Sequence, residues 1–486
     1  MAAGASSQVL VASNRGPVAY ALGADGGLTP RRGGGGLVSG LSAIGPGAGA
    51  VWVCAALGEG DREAARRAGQ RLTPEDTGGQ AVRMLDIAPE VFEAAYHGVA
   101  NSVLWFVHHM LYETPLEPSF DAEFAREWAD YEAYNTAFAD ALAEEAGHGA
   151  AVLVQDYHLT LVPRLLRERR PDLRIGHFSH TPWAPPDYYR MLPDDVAGEV
   201  LRGILGADRA AFLTLRWAEA FADCCARVLG AEVRREPFRV IHEEGTTAIG
   251  VHGLGADADF LRERAHRADV AGRMEQLREQ IGHGPDGAAR RTVVRVDRTE
   301  LSKNIVRGLH AYRRLLADRP EWRERVVHLA FAYPSRQDLR VYRAYTEEVA
   351  RVAEGINEEF GVPGWTPVLL HVEDDFARSL AAYRLADVAL VNPIRDGMNL
   401  VAKEVPVVSD EGCALVLSRE AGAYEELRED AFEVNPYDVR GTAEALHAGL
   451  TLERSARAER TKRLATAATA LPPAQWFLDQ LDALRA

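Results

Sequence analysis

Short apolar runs, many of them rich in β-branched side chains, recur along the chain between polar, turn-forming segments. Runs this short and this uniformly apolar predict strands buried on both faces, as in a parallel sheet. In the first half they fall at residues 9–12, 51–54, 151–154, 174–179, 211–215 and 247–251. In the second half they fall at 292–296, 326–331, 368–372, 387–391, 413–417 and 431–434. Apolar residues at helical spacing fill intervals between them, most plainly over 120–145. Strands alternating with helices predict an α/β protein built on two doubly wound, Rossmann-like parallel sheets. A cleft between two such domains is the default place for a ligand. The expected boundaries are 1–250, 251–465 and 466–486. The last segment is a helix whose Trp476 and Phe477 carry enough apolar area to dock on another surface.

Open α/β sheets bind ligands beyond the carboxyl ends of their strands, so the polar residues that follow each run are the candidates. The run at 387–391 leads into Asn392-Pro-Ile-Arg-Asp-Gly-Met-Asn-Leu-Val-Ala-Lys-Glu404. Pro393 ends the strand, Gly397 is free to take positive φ, and the residues from Met398 favour helix. A helix start there offers the backbone N–H groups of Gly397, Met398, Asn399 and Leu400 to a phosphate. Glu404, two turns on, is placed to accept hydrogen bonds from a ribose, and Asp396 faces what the phosphate carries. An ordinary strand-to-helix loop with a solvated Asp is the competing reading. A glycine cluster that includes Gly35 and Gly36 precedes a predicted helix; it suits an anion or a flexible hairpin, and it is not the GxxxxGK[ST] of a P-loop.

Arg298 and Lys303 follow the run at 292–296 closely enough to share one pocket and neutralise a diphosphate, or to stand solvated. Asp156 and His180 end successive strands, as an acid–base pair or as groups that hold a hydroxyl. Tyr96 and Trp105 either stack on a ring-shaped ligand or fill the core. Arg15 and Arg336 lie in turns after strands, and Cys224 and Cys225 read as packing residues.

Composition narrows the class. At 486 residues the chain is too long for one core, and 47% hydrophobic with 26% charged residues describes an ordinary globular protein. A net charge of −16 argues against nucleic acid as a partner while allowing a local basic pocket. Four cysteines without a CxxC pair suit a reducing cytoplasm. The first residues lack the pattern of a signal peptide, and no apolar run approaches the length of about 18 residues that spans a membrane. No His/Cys cluster has metal-ligand spacing, so no metal is expected.

Taken together, several motifs resemble those of retaining glycosyltransferases of the trehalose-6-phosphate synthase family, over nearly the whole chain. They are Ser13-Asn-Arg15, the loop at 35–37, the Tyr96–Trp105 segment, Asp156-Tyr-His158, His180-Thr-Pro182, Arg298 with Lys303, Ile356-Asn357 with Trp365-Thr-Pro367, and Arg395 to Glu404. Two stretches depart from the family pattern. Arg298-Thr-Glu-Leu-Ser-Lys-Asn304 stands for Arg-Leu-Asp-Tyr-x-Lys-Gly, and His252-Gly-Leu-Gly-Ala-Asp257 stands for Pro-Ile-Gly-Ile-Asp.

The altered surroundings of a kept basic pair resemble the pseudo-glycosyltransferases of validamycin-type antibiotic biosynthesis. Those couple GDP-valienol to validamine 7-phosphate through a C–N bond, with retention. A true synthase, using a nucleotide-glucose and glucose 6-phosphate, and a non-catalytic nucleotide-binding homologue are the alternatives. The resemblance implies a GT-B fold, with an acceptor domain at 1–250 and a donor domain at 251–465. The helix at 466–486 returns to the first domain. It implies small-molecule cyclitol substrates, a GDP-linked donor, no cofactor and a homodimer. By motif, Arg298 and Lys303 hold the diphosphate with backbone N–H groups from 397–400 and the glycine loop, and Glu404 holds the ribose. Asp396 and His180 bind ring hydroxyls, Asp156 orients the acceptor, and Arg15, Tyr96, Trp105 and Arg336 seat the phosphorylated acceptor.

Overall fold

The computed structural model describes residues 7–32, 50–242 and 245–486. The chain divides into two compact units, Met1–Leu254 with Pro473–Ala486, and Gly255–Pro472.

The first unit is built on β1 (Ser7–Ala12), β2 (Val18–Leu22), β3 (Leu28–Arg32), β4 (Ala50–Ala55), β5 (Arg71–Leu72), β6 (Ala81–Leu85), β7 (Ala146–Gln155), β8 (Arg174–Ser179), β9 (Arg209–Phe212), β10 (Glu232–Arg235), β11 (Phe238–His242) and β12 (Gly245–Val251). Its main sheet runs β10-β11-β12-β9-β8-β7-β1-β4-β6-β5. From β12 to β6 the pairs are parallel. Leu10, Val11 and Ala12 of β1 are fully buried, because a strand covered on both faces must be apolar throughout.

Beyond the expected strands, β10, β11 and β5 close this sheet antiparallel, and β2 and β3 form a separate hairpin. Glu232-Val-Arg-Arg235 is charged and largely exposed, which marks a sheet edge and erases the apolar signal. The long helix Ala122–Glu145 starts at Asp121, whose carboxylate accepts from the N–H groups of Glu123 and Phe124. Ala94–Leu104 is wound as a π-helix that continues into the α-helical turn Trp105–His109.

The second unit carries a sheet of β13 (Arg291–Arg298), β14 (Val326–Tyr333), β15 (Val368–His371), β16 (Val388–Val391), β17 (Ala414–Ser418) and β18 (Phe432–Val434). The order is β15-β14-β13-β16-β17-β18, parallel at every pair. The winding reverses between β13 and β16, and in the first unit between β1 and β7. Loops leave such a reversal in opposite directions and open a crevice in each sheet for a ligand.

The last helix, Pro473–Arg485, belongs to the first unit and packs on β7 and β8. Trp476 and Phe477 are at most 1% exposed there, so their apolar area is consumed within the chain. Asn357 and Trp365, two of the motif residues, brace the second unit. Asn357 exchanges two hydrogen bonds with the backbone of Val368, and Trp365 donates to the Val326 carbonyl.

Candidate active site

In the first unit the polar residues collect where β1 and β7 end side by side. Ser13 accepts a hydrogen bond from the Trp52 indole at 2.7 Å and donates to the Arg15 carbonyl at 2.7 Å. Asn14, buried, accepts from the Tyr134 hydroxyl at 2.6 Å. These contacts fix the loop that presents Arg15, whose side chain is exposed.

Asp156 follows β7 with φ 72° and ψ 176°, a conformation that only glycine takes without strain. The N–H of His180 reaches its Oδ1 at 3.1 Å, and the N–H groups of Tyr157 and Thr181 also favour its charged form. Burial outweighs them and raises its pKa. His180 sets Nε2 2.9 Å from Gln155 Oε1, so with the amide oxygen accepting, Nε2 carries the hydrogen and Nδ1 is an acceptor. Burial lowers the pKa of the ring against the pull of Asp156, which keeps it neutral at pH 7. Trp476 of the last helix lies 5.5 Å from that ring, centroid to centroid.

Two residues escaped the sequence reading. Gln155 orients His180, and His177, pushed down to about 3 by burial, places Nε2 3.3 Å from the Asp156 carbonyl. A polar residue ending an apolar run was the available signal. Tyr96 stacks between Phe92 and His158, at 5.2 and 5.6 Å, and Trp105 stacks on His109 at 3.8 Å. Both rings are half-buried, so each has protein partners and an open part.

In the second unit the reversal between β13 and β16 holds Lys303 and Asp396. A short turn, Leu301–Lys303, carries the lysine, and its Nζ lies 2.6 Å from Asp396 Oδ2. Burial works against the ammonium, but Asp396, Asp297 and Glu300 outweigh it and raise its pKa. Asp297, its side chain 7% exposed, pairs with the fully buried Arg295 at 2.8 Å; burial raises its pKa while Arg295 and Lys303 lower it. Arg295, a charge inside an apolar run, was legible as an anomaly and was not read as one.

Asn304 takes φ 60°, and its amide donates to the carbonyls of Asn392 and Pro436, at 2.9 and 2.8 Å. The left-handed residue of the next turn is Asn399, at φ 77°, which corrects the expectation for Gly397. Asparagine tolerates that conformation, and Asn399 Oδ1 accepts from the N–H of Ala402 at 3.2 Å as the cap of helix Leu400–Val408. Met398 is therefore in the turn, not the helix, and its N–H points at Asp396 Oδ1 at 3.4 Å. The loop after β17 closes on this turn. Gly422 donates to the Asp396 carbonyl at 3.0 Å and Ala423 to that of Met398 at 2.7 Å. A Cβ on Gly422 would collide with the Gly397 carbonyl oxygen.

Glu404 receives a hydrogen bond from the buried Tyr383 phenol, and burial pushes its carboxyl up to about 7. Lys403, beside it in sequence, is buried and turns to Glu426 at 2.7 Å. Arg298 ends β13 with an exposed side chain, 3.0 Å from the wholly buried Glu300. Arg336 donates to the Tyr342 hydroxyl at 2.6 Å. It thus belongs to the second unit, whereas Arg15, Tyr96 and Trp105 belong to the first. Gly35 and Gly36 lie outside the described residues. Among the described residues no group of His, Cys, Asp and Glu could hold a metal ion, and no helix is long and apolar enough to cross a membrane.

The trehalose-6-phosphate synthase of Mycolicibacterium smegmatis is 33% identical over 493 residues, covering 99% of this chain and 93% of that one. The bifunctional trehalose-6-phosphate synthase/phosphatase of Thermoproteus tenax is 33% identical over 389 residues, 79% of this chain; the match spans about half of that relative, 51%. Among solved structures, an E. coli protein bound with UDP-2-fluoro glucose superposes with a TM-score of 0.83 at 26% identity, over 99% of both chains. The UDP-forming synthase of Burkholderia vietnamiensis gives 0.82 at 28% identity, over 99% of this chain and 100% of that one. The two Rossmann-like units are those of the GT-B fold. Residues 7–486 match Glycosyltransferase family 20. The chain belongs to that family, as a trehalose-6-phosphate synthase-like, nucleotide-sugar-dependent retaining glycosyltransferase.

Proposed function

We propose that the protein transfers glucose from a nucleotide-glucose to glucose 6-phosphate with retention, forming trehalose 6-phosphate and a nucleoside diphosphate. The observation that carries this reading is the Lys303–Asp396 contact of 2.6 Å at the winding reversal of the second sheet. It sets a cation for a diphosphate beside a carboxylate for sugar hydroxyls. The second unit takes the donor. Arg298, Lys303 and the N–H groups of Gly397, Met398, Asn399 and Leu400 hold the diphosphate, and Glu404 holds the ribose. The first unit takes the acceptor on Arg15, Tyr96 and Trp105, with Arg336 contributing to its phosphate and Asp156 orienting it. His180 and Asp396 bind hydroxyls of the donor ring.

In the reaction the bond from C1 to the diphosphate oxygen breaks, and its electron pair leaves with the phosphate. The acceptor oxygen bonds to C1 from the same face, and its proton passes to the departing phosphate oxygen. The protein's contribution is orientation and charge stabilisation, with no side-chain nucleophile. As the donor arrives, Lys303 exchanges Asp396 for phosphate, which releases that carboxylate to the sugar.

A second reading, coupling of GDP-valienol to validamine 7-phosphate, is favoured by one observation. Glu300, Leu301 and Asn304 stand where the synthase motif has Asp, Tyr and Gly. Mass spectrometry of paired reactions separates the two. One set holds GDP-glucose or UDP-glucose with glucose 6-phosphate; the other holds GDP-valienol with validamine 7-phosphate. Product in the first set alone is the expected result, and the better donor identifies the base. Product in the second alone replaces the first reading, and nucleotide binding without product in either removes both.

A further inference from the structure

The end of the second sheet away from Lys303 and Asp396 holds a cavity of about 430 Å³, within the range of small-metabolite sites. It lies where β13 and β16 begin, beside Arg291 and Asp387. Among the described residues, five arginines and three carboxylates line it, so positive charge is in excess. Arg278 is paired outside the lining with Glu275 at 2.5 Å, so the excess rests on the other four arginines. One carboxylate, Asp387, serves both Arg291 and Arg457, each at 2.7 Å, while Arg384 takes Asp410 at 2.6 Å. Arg290 donates only to backbone carbonyls, those of Glu324, Ile281 and Gly364, each at 2.8 Å. Carbonyl oxygens satisfy its N–H groups, and its charge is offset at a distance by the Glu324 carboxylate rather than by an ion pair. Arg457 is 3% exposed, and its Nε has no hydrogen-bond acceptor. A buried donor left without an acceptor is costly, and native structures rarely keep one without a reason.

We propose that this cavity is a second anion site, distinct from the donor and acceptor positions, for a small phosphate-bearing molecule or for inorganic phosphate. A phosphate offers several acceptor oxygens to guanidinium groups arranged around it and balances the excess charge. The site also touches the two strands that lead to the chemistry: Arg291 begins the strand that ends in Arg298, and Asp387 immediately precedes the strand that leads to Asp396.

Hydrogen–deuterium exchange on the full chain tests this, with inorganic phosphate and glucose 6-phosphate as separate probes. The expected result is saturable slowing of exchange over 281–292 and 384–387. Slowing by phosphate alone identifies the free ion as ligand, and tighter slowing by the ester identifies a phosphate monoester. Arg278→Gln with Arg291→Gln should weaken the effect at least about tenfold. Those side chains are 52% and 47% exposed, so the fold tolerates the change. Lys303→Ala, which cuts transfer sharply, should keep the slowing measured against its own ligand-free exchange, so this proposal and the transfer reaction fail independently. Absence of slowing with both probes, or slowing unchanged in the double variant, overturns the proposal.

Discussion

Lys303 stands against two largely buried carboxylates, and its removal is felt twice. Lys303→Ala should lower kcat/KM about 10²–10³-fold, the scale of losing a charge-stabilising group. It should also destabilise the second unit by several kcal/mol, roughly 3–5, because Asp396 loses its counter-charge and Asp297 keeps Arg295 alone. Adding Asp396→Asn should recover part of the stability and none of the activity, as denaturant melts of the two variants will show.

Glu404 gives a pH signature. Its folded pKa of about 7 stands above the unfolded value near 4.3. The stability it contributes is complete below about pH 4 and is lost as pH rises through 7. Its carboxylate is the form that accepts from a ribose, so donor kcat/KM should climb through pH 7, and Glu404→Gln should flatten both profiles. Asp156 carries strain that can be read by difference. Asp156→Ala and Asp156→Gly lose the same carboxylate, and the glycine variant should be more stable by about 1–3 kcal/mol, because only it relaxes φ 72°.

At the scale of elements, the turn at 392–399 depends on the loop after β17 as much as on its own sequence. Gly422→Ala should lower donor affinity more than acceptor affinity, since the new Cβ displaces the Gly397 carbonyl. Separate titrations of the two substrates will show it. The doubly buried strands were legible because burial on both faces demands an unbroken apolar run, as in Val388–Val391. The edge strands were not, since one exposed, charged face suffices for Glu232–Arg235. The candidate site was legible by residue type and place, because Lys303, Asp396 and Asp156 follow strands and Arg298 ends one. Their supports were not. Gln155, His177 and Tyr383 act through contacts between segments more than 20 residues apart, which no local pattern records. Asn304 shows what a motif departure costs: it keeps the left-handed backbone open to the glycine of the family pattern and adds two hydrogen bonds.

For the whole molecule, the last helix is the piece on which the first unit waits. Trp476→Ala should cost about 3–5 kcal/mol and lower turnover through His180, whose ring it covers. An activity loss with unchanged acceptor KM would separate that effect from general loosening. The chain runs through all of Gly255–Pro472 before Pro473–Ala486 returns to the first unit. A ribosome adding about 5–20 residues per second therefore delivers the second unit entire while the first still lacks its closing helix. For on the order of 10–40 s the apolar floor beneath β7 and β8 stays uncovered, longest when translation is slow. Nascent chains stalled near residue 472 should recruit chaperones that finished chains ignore, so the yield of active protein depends on the pace of its own synthesis.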